Sequence, residues 1–319
     1  MSKIRAAVIG VGYLGRFHAQ KYAALPDCEL VAVVDGRDEV RKAVAAEVAT
    51  QPVADYRDLL GKVDAVSVVT PTPAHFEIAD AFLAAGAHVL VEKPITETPD
   101  QAKALIATAT KHGKILQVGH LERFNAAVLA AESHISSPRF MECVRLAPYK
   151  ERGTDVNFVL DLMIHDIDLV QSLANSAIVG IDAIGTPVFS GEIDIANARI
   201  RFANGCVANV TASRVSMKTE RKLRIFEDAA YISLDLQQKI LTLLRKRDGV
   251  PQPGQLPMSI DEENLDQGDA LKSEIESFLD CIRNDKRPIV SGEDGLRALE
   301  TAIRISEQVH ANLGATRKD

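Results

Sequence analysis

"AVIGVGYLGRFHA", Ala7–Ala19, decides the fold. A short apolar run, nearly continuous and therefore suited to burial on both faces, ends at Gly10, and a helical pattern begins within a few residues. Gly10, Gly12 and Gly15 stand in G-x-G-x-x-G spacing. In that spacing the first glycine permits the bend, the second lets the backbone approach a pyrophosphate, and the third lets the helix pack on the strand. Tyr13 and Leu14 open the helix, where free N–H groups would face the phosphates. The spacing alone is also compatible with a tight strand-to-helix turn that holds no ligand. Asp35 favours the dinucleotide, because it closes the second strand pattern twenty residues after Gly15, where a ribose-binding carboxylate belongs. Such a carboxylate accepts bonds from the 2′-hydroxyl of NAD and repels the 2′-phosphate of NADP. NAD is therefore the expected cofactor, while nearby Arg37 could soften the preference and leaves NADP possible.

Outward from this turn, "ELVAVVD", "AVSVVT", "HVLVE" and "ILQVG" repeat the apolar run, with helical patterns near 14–25, 38–49, 74–85 and 99–112 between the runs. Strands apolar on both faces and separated by helices imply a doubly wound parallel sheet. After about residue 121 the texture changes. One helix is expected near 122–135 and another around "DLMIHDIDL", Asp161–Leu169. The runs "ANARIRF" and "CVANVTASRV" then meet at Asn204-Gly205, the signal of a tight antiparallel hairpin. Residues 249–268, rich in Pro, Gln and acids, read as a long loop before helices near 269–284 and 292–312. The expected fold is α/β: an N-terminal Rossmann domain over 1–121, and a C-terminal α+β domain over 122–319 with a large, open, mainly antiparallel sheet.

Composition narrows the function. A chain of 319 residues that is 46% hydrophobic and 25% charged can fill two cores. Its net charge of −7 argues against nucleic acid as a partner. Cys28, Cys143, Cys206 and Cys281 lie far apart without C-x-x-C pairs, which suits reduced thiols in the cytoplasm. With no signal-like start and no apolar run of about 18 residues, neither secretion nor a membrane span is expected.

Ligands of open α/β sheets lie beyond the carboxyl ends of the strands. Thr70-Pro71, Glu92-Lys93-Pro94 and Gly119-His120 occupy those positions. Lys93 ends a buried strand, where its ammonium can bond a substrate hydroxyl or simply snorkel to solvent. His75, in the first turn of its helix, suits either a place beside the cofactor or packing. In "DLMIHDIDL", Asp161, His165 and Asp168 fall within an arc of about 60° at helical pitch, and Asp166 lies outside it. A stripe of ionisable groups on an apolar helix needs a reason, since burying unpaired charge is costly. Metal ligation by Asp161 and His165 lacks an identifiable third and fourth ligand, so no metal is expected.

The turn, "VEKPIT", and Asp161 with His165 occur in an order that resembles the Gfo/Idh/MocA oxidoreductase family. "VGYLGRFHAQKY", "TPTPAHFEIA", "LDLMIHDIDL" and "RPIVSGEDGLRALETAIRIS" carry the resemblance along nearly the whole chain. Many members have glycines around the acid, where this chain has "FVLDLMIHD". The resemblance implies a tightly bound nicotinamide cofactor, with Lys93, Asp161 and His165 as the catalytic set. Oxidising a secondary alcohol requires removing its proton as hydride leaves carbon, and histidine titrates in the right range. His165 is then the base, Asp161 orients it or bonds substrate, and Lys93 polarises the hydroxyl; lysine as base with histidine as helper is the reverse assignment. Asp168 suits a structural acceptor equally well.

"VGHLERFNAA" and the stretch from Ile195 to Asp235 resemble the subgroup acting on nucleotide sugars. That implies C3 of UDP-N-acetylglucosamine as the site of oxidation, in lipid A biosynthesis. A free sugar or polyol is the alternative substrate, and a non-enzymatic NAD-binding regulator the alternative class. His120, Glu122, Arg123 and Asn125 are candidates to line the sugar, or else to cap helices and form salt bridges. Arg214, Lys218, Arg221, Lys222 and Arg224 are candidates for the diphosphate, or else keep a sheet edge soluble. A homodimer or homotetramer joined through the C-terminal sheets is implied by the same resemblance.

Overall fold

The computed structural model describes residues 2–149, 157–247, 249, 255–265 and 268–316. The chain divides into two compact units: the first runs to Leu121 and regains Ala270–Leu299, and the second holds Glu122–Asp269 and the chain from Glu300.

In the first unit the elements are β1 (Ile4–Ile9), α1 (Tyr13–Ala24), β2 (Cys28–Val34), α2 (Asp38–Glu47), β3 (Gln51–Val53), β4 (Ala65–Val68), α3 (His75–Ala84), β5 (His88–Glu92), α4 (Pro99–His112) and β6 (Leu116–Gly119). The six strands pair in parallel in the order β3-β2-β1-β4-β5-β6, the doubly wound Rossmann arrangement. Apart from Arg5 and Glu29 near their starts, the inner strands are buried or half-buried on both faces, which is why the apolar runs are nearly continuous. The edge strand β3 escaped the sequence reading because three residues including Pro52 show neither length nor alternation.

The second unit contains α5 (Ala126–Ala131), β7 (Phe140–Leu146), a π-helical turn (Val159–Met163) continuing into α6 (Ile164–Ala174), then β8 (Ile178–Thr186), β9 (Ile195–Phe202), β10 (Val207–Ser213), β11 (Glu220–Phe226), β12 (Ala230–Asp235), β13 (Ile240–Lys246) and β14 (Met258–Asn264). The eight strands run β14-β13-β12-β11-β7-β10-β9-β8, antiparallel except where β7 meets β10. Burial alternates along β7, β9, β10 and β11, with one face packed beneath α5 and α6 and the other half-exposed. The β9–β10 hairpin turns at Asn204 and Gly205, whose φ of +85° suits a residue without a side chain.

Two expectations need correction here. The loop over 249–268 contains β14, an edge strand paired with β13; its sequence "MSIDEEN" is acidic, as exposed edges tend to be, and that hid it. Residues 250–254 and 266–267 lie outside the described residues. The single helix near 122–135 is instead a 3-10 turn, the short α5 and another 3-10 turn, because Asn125 caps α5 and restarts the chain.

The final helices are α7 (Ala270–Asn284) and α8 (Gly292–Thr316). Leu271, Ile275, Phe278 and Leu279 form the apolar stripe of α7 and join Ala19, Tyr22 and Cys28 in the core of the first unit. Expecting one domain over 122–319 left out this return, because periodicity shows that a helix has an apolar face and not which sheet it covers.

Candidate active site

At the glycine turn a Cβ on Gly10, whose φ is +86°, would sit 2.7 Å from the Val69 carbonyl, and one on Gly15 would sit 1.8 Å from the Gly10 carbonyl. The bend and the helix–strand contact therefore exclude any side chain. At Gly12 a Cβ would meet only the Arg37 guanidinium, at 3.4 Å. Among the described residues no side chain caps α1, and no acid lies in its first turn, so its first N–H groups are open to an anion. Tyr13 is 84% exposed beside them, and Leu14 is also exposed.

Asp35 accepts the Val11 N–H at 3.2 Å, and from Arg37 both the backbone N–H at 2.9 Å and the guanidinium at 3.1 and 3.2 Å. Burial works against its charge, yet the Arg37 and Val11 bonds hold the carboxyl below the usual carboxylate range. Asp35 and Arg37 line a cleft of about 580 Å³ with Gly10, Tyr56, Thr70 and Pro71. A dinucleotide fits these groups: free amides for its phosphates, a carboxylate for its ribose, and a middle glycine that leaves room.

The strand ends are tied to one another. Buried His75 places Nδ1 3.0 Å from the Pro94 carbonyl oxygen and Nε2 2.8 Å from that of Thr70, so it links the two loops, which is the packing alternative for this residue. Lys93 is half-buried, and its backbone N–H donates to Glu92 Oε2 at 3.3 Å. Glu92 Oε1 lies 3.1 Å from His18 Nε2. A carboxylate only accepts, so His18 donates from Nε2, while its Nδ1 lies 3.3 Å from the Ser67 hydroxyl oxygen. The Ser67 and Tyr22 hydroxyls are hydrogen-bonded at 2.9 Å.

In the second unit, Asn157 accepts the N–H groups of Val159 and Leu160, and the Ile164 N–H reaches back to the Val159 carbonyl, an i→i+5 turn. Such a turn advances each residue by less than the 100° of an α-helix. The arc expected for Asp161, His165 and Asp168 therefore describes only the last two, which lie in α6 itself. Asp161 is exposed, His165 half-buried, and Asp168 buried 3.7 Å from Arg123 Nη1.

Asp166, outside the stripe, lies at the centre of the best-bonded group. Arg145 of β7, 3% exposed, donates to both of its carboxylate oxygens at 2.8 Å and to Glu122 at 3.0 Å. Burial opposes the Arg145 charge, but Asp166 and Glu122 hold its proton above the usual arginine range. Asn125 donates to Glu122 and to the Leu236 carbonyl, and accepts the Ala127 N–H. For Glu122 and Asn125 these contacts are the capping and salt-bridging alternative. His120 is buried at the end of β6. The sequence reading missed Arg145, although a charged residue on the buried phase of a strand is the signal that would have found it.

The five-residue cation cluster separates. Arg214 pairs with Asp194, Lys218 with Glu220, and Arg224 with Glu142. Arg221 instead shares the helix-covered face with Leu223 and Ile225, directly across from Arg145, with its guanidinium 3.7 Å from Glu122 and 47% exposed. Lys222 and Arg224 point to the opposite face, as period-two alternation requires.

The fold and the cofactor groups define an NAD-binding oxidoreductase, and the chain belongs to the Gfo/Idh/MocA oxidoreductase family. The family's NAD-binding Rossmann-fold model matches residues 4–120, and its C-terminal alpha/beta domain model residues 145–312. UDP-N-acetylglucosamine 3-dehydrogenase of Acidithiobacillus ferrooxidans is 39% identical over 315 residues, 98% of this chain and 99% of its own. The solved structure of that enzyme matches with a TM-score of 0.91 at 38% identity, over 98% and 99% of the two chains. Scyllo-inositol 2-dehydrogenase (NAD(+)) of Bacillus subtilis is more distant, 27% identical over 94% of this chain and 92% of its own. A crystal structure of scyllo-inositol dehydrogenase from Lactobacillus casei shares the fold, with a TM-score of 0.80 at 22% identity, covering 98% of this chain and 97% of that one. Among the described residues no helix is long and apolar enough to cross a membrane.

Proposed function

We propose that this chain is an NAD-dependent dehydrogenase that oxidises the C3 hydroxyl of UDP-N-acetylglucosamine to a 3-keto sugar. The observation that carries the reading is its 39% identity, along 98% of its length, to an enzyme of that name. Bound NAD supplies the acceptor for the C3 hydride. The chain's own residues do the rest: His165 takes the hydroxyl proton, Asp161 bonds substrate or orients the imidazole, and Lys93 polarises the hydroxyl and stabilises developing alkoxide. Asp35 selects NAD by accepting from the ribose hydroxyls, beside the glycine turn of Gly10, Gly12 and Gly15. Of the five cations Arg221 is the one for a diphosphate, since Glu122 holds it only loosely at 3.7 Å, whereas Arg214 and Arg224 are paired with carboxylates at 2.9 and 2.7 Å and Lys222 faces away. His120 and Arg123 line the sugar.

A keto sugar formed in this way suits an aminotransferase next in line, on the diamino-sugar route of lipid A biosynthesis in the cytoplasm. The working form is a homodimer or homotetramer. Incubation with NAD and a panel of free and nucleotide-linked sugars, followed by absorbance of reduced cofactor, tests the reading. Reduction is expected with UDP-N-acetylglucosamine and a coupled aminotransferase; reduction with a free polyol alone would overturn it.

A further inference from the structure

Glu92 has a second acid beside it. Glu274, on α7, is fully buried, and among the described residues neither of its carboxyl oxygens has a hydrogen-bond partner. Ligand atoms of His18, Glu92 and Glu274 all lie within 4.8 Å of one another. Two carboxylates that close in a dry site cannot both remain ionised, so the pair binds one proton.

The neighbours decide where that proton resides. Glu92 receives the His18 ring N–H and the Lys93 backbone N–H, with the Lys93 ammonium nearby. Glu274 lies beside Glu92 and His18, and the charge that acts on its carboxyl is that of Glu92. Burial and the Glu92 charge push the Glu274 carboxyl well above the usual range. Burial also opposes the Glu92 charge, yet His18 and Lys93 hold that carboxyl below the usual range. Tyr22 of α1 also interacts with Glu274 and is held in its uncharged form by burial. From β6 come Gln117, bonded to the Glu274 carbonyl at 3.1 Å, and Gly119, where a Cβ would stand 2.9 Å from the Glu92 carboxyl. Both ring nitrogens of His18 already have protein partners, Nε2 with Glu92 and Nδ1 with Ser67.

We propose that Glu274 is a positioning residue: a protonated carboxylic acid that donates toward Glu92 and so holds a single negative charge next to Lys93. The proposal rests on Lys93 acting in the reaction. Anchored by two donors and a shared proton, Glu92 keeps the end of β5, and with it the backbone of Lys93, in one conformation.

The test uses the NAD-loaded protein. Its infrared spectrum at neutral pH should show the C=O stretch of a protonated carboxyl, lost in Glu274→Gln. Glu274→Gln retains a donor and should keep kcat within about twofold. Glu274→Leu removes the donor and should lower kcat about tenfold, the usual loss for one bond to a charged group. It should also move the acid limb of the pH profile to higher pH, because an unassisted Glu92 protonates more readily, and leave NAD affinity unchanged. A Leu variant with normal kcat and pH profile would overturn the proposal. So would a Gln variant as impaired as the Leu variant, or stoichiometric metal in the purified protein. Because the infrared band needs no substrate, its presence in a protein inactive on every sugar would count against the proposed function alone. Its absence in an active protein would count against Glu274 alone.

Discussion

At the end of β2, Asp35 is held by Val11 and by Arg37 two residues away; under α6, Arg145 gathers Asp166 from 21 residues along the chain and Glu122 from 23. Both are carboxylate–guanidinium sites, but their surroundings differ. Arg37 is 65% exposed and can swing away, so Asp35 can exchange part of its hydrogen bonding for a ligand's hydroxyls. The side chains of Arg145 and Asp166 are 3% and 1% exposed, and neither can trade partners without leaving a buried charge unpaired. The first arrangement suits ligand recognition. The second fixes the backbone that carries His165, the residue before Asp166.

The largest effect expected anywhere in the molecule lies on that fixed helix. His165→Ala should reduce kcat by about 10³-fold, the range of a lost general base, while NAD titration is unchanged. Near-normal turnover would leave the helix with a structural role only. Lys93→Ala should behave alike, and a pH profile of each variant would show which residue carries the proton.

Breaking the buried network should cost nearly as much, but in stability. Arg145→Met strands two carboxylates and should lower unfolding free energy by about 3–5 kcal/mol in a urea titration. Adding Asp166→Leu and Glu122→Leu should recover most of that loss. If the single variant is as stable as the parent, Arg145 is no more essential to the fold than the exposed Arg37.

On the exchangeable side, Asp35→Ala should shift the NAD-over-NADP preference by about 10- to 100-fold, as expected for hydrogen bonds to a charged group. Isothermal titration with both cofactors would measure it. Equal binding of both by the unaltered protein would show that Arg37, rather than Asp35, decides.

The smallest effect concerns His88, at the opposite end of β5 from Glu92. Burial, with Lys114 nearby, pushes its imidazole down to about 4, and its Nδ1 accepts the Ile115 N–H. A folded-state value below the unfolded one of about 6.5 means that the stabilisation is complete above that pH. It is lost as pH falls from about 6.5 through about 4. Partial exposure limits the loss to about 1 kcal/mol. Thermal melts from pH 7 to 4 should show this decline, and His88→Gln should flatten it; an unchanged slope would place the acid sensitivity elsewhere, for instance in the paired carboxylates.

What the sequence determined by itself was whatever the chain specifies over short distances. The glycine turn, Asp35 twenty residues on, the parallel strand runs and the Asn204-Gly205 hairpin are legible because steric limits, burial on both faces and turn chemistry act within a few residues of one another. Lys93, Asp161 and His165 could be named from motif and resemblance, yet the π-helical turn that separates Asp161 from the expected stripe could not, since backbone spacing there depends on what the helix packs against. Tertiary structure alone decided that α7 covers the first unit and brings Glu274 to Glu92. It also decided that β14 pairs at the sheet edge, and that Asp166 rather than Asp168 is the acid gripped by Arg145. Each of these joins residues far apart in the chain through burial and long-range pairing. Their energy depends on which surfaces meet, and periodicity says only that a surface is apolar or charged.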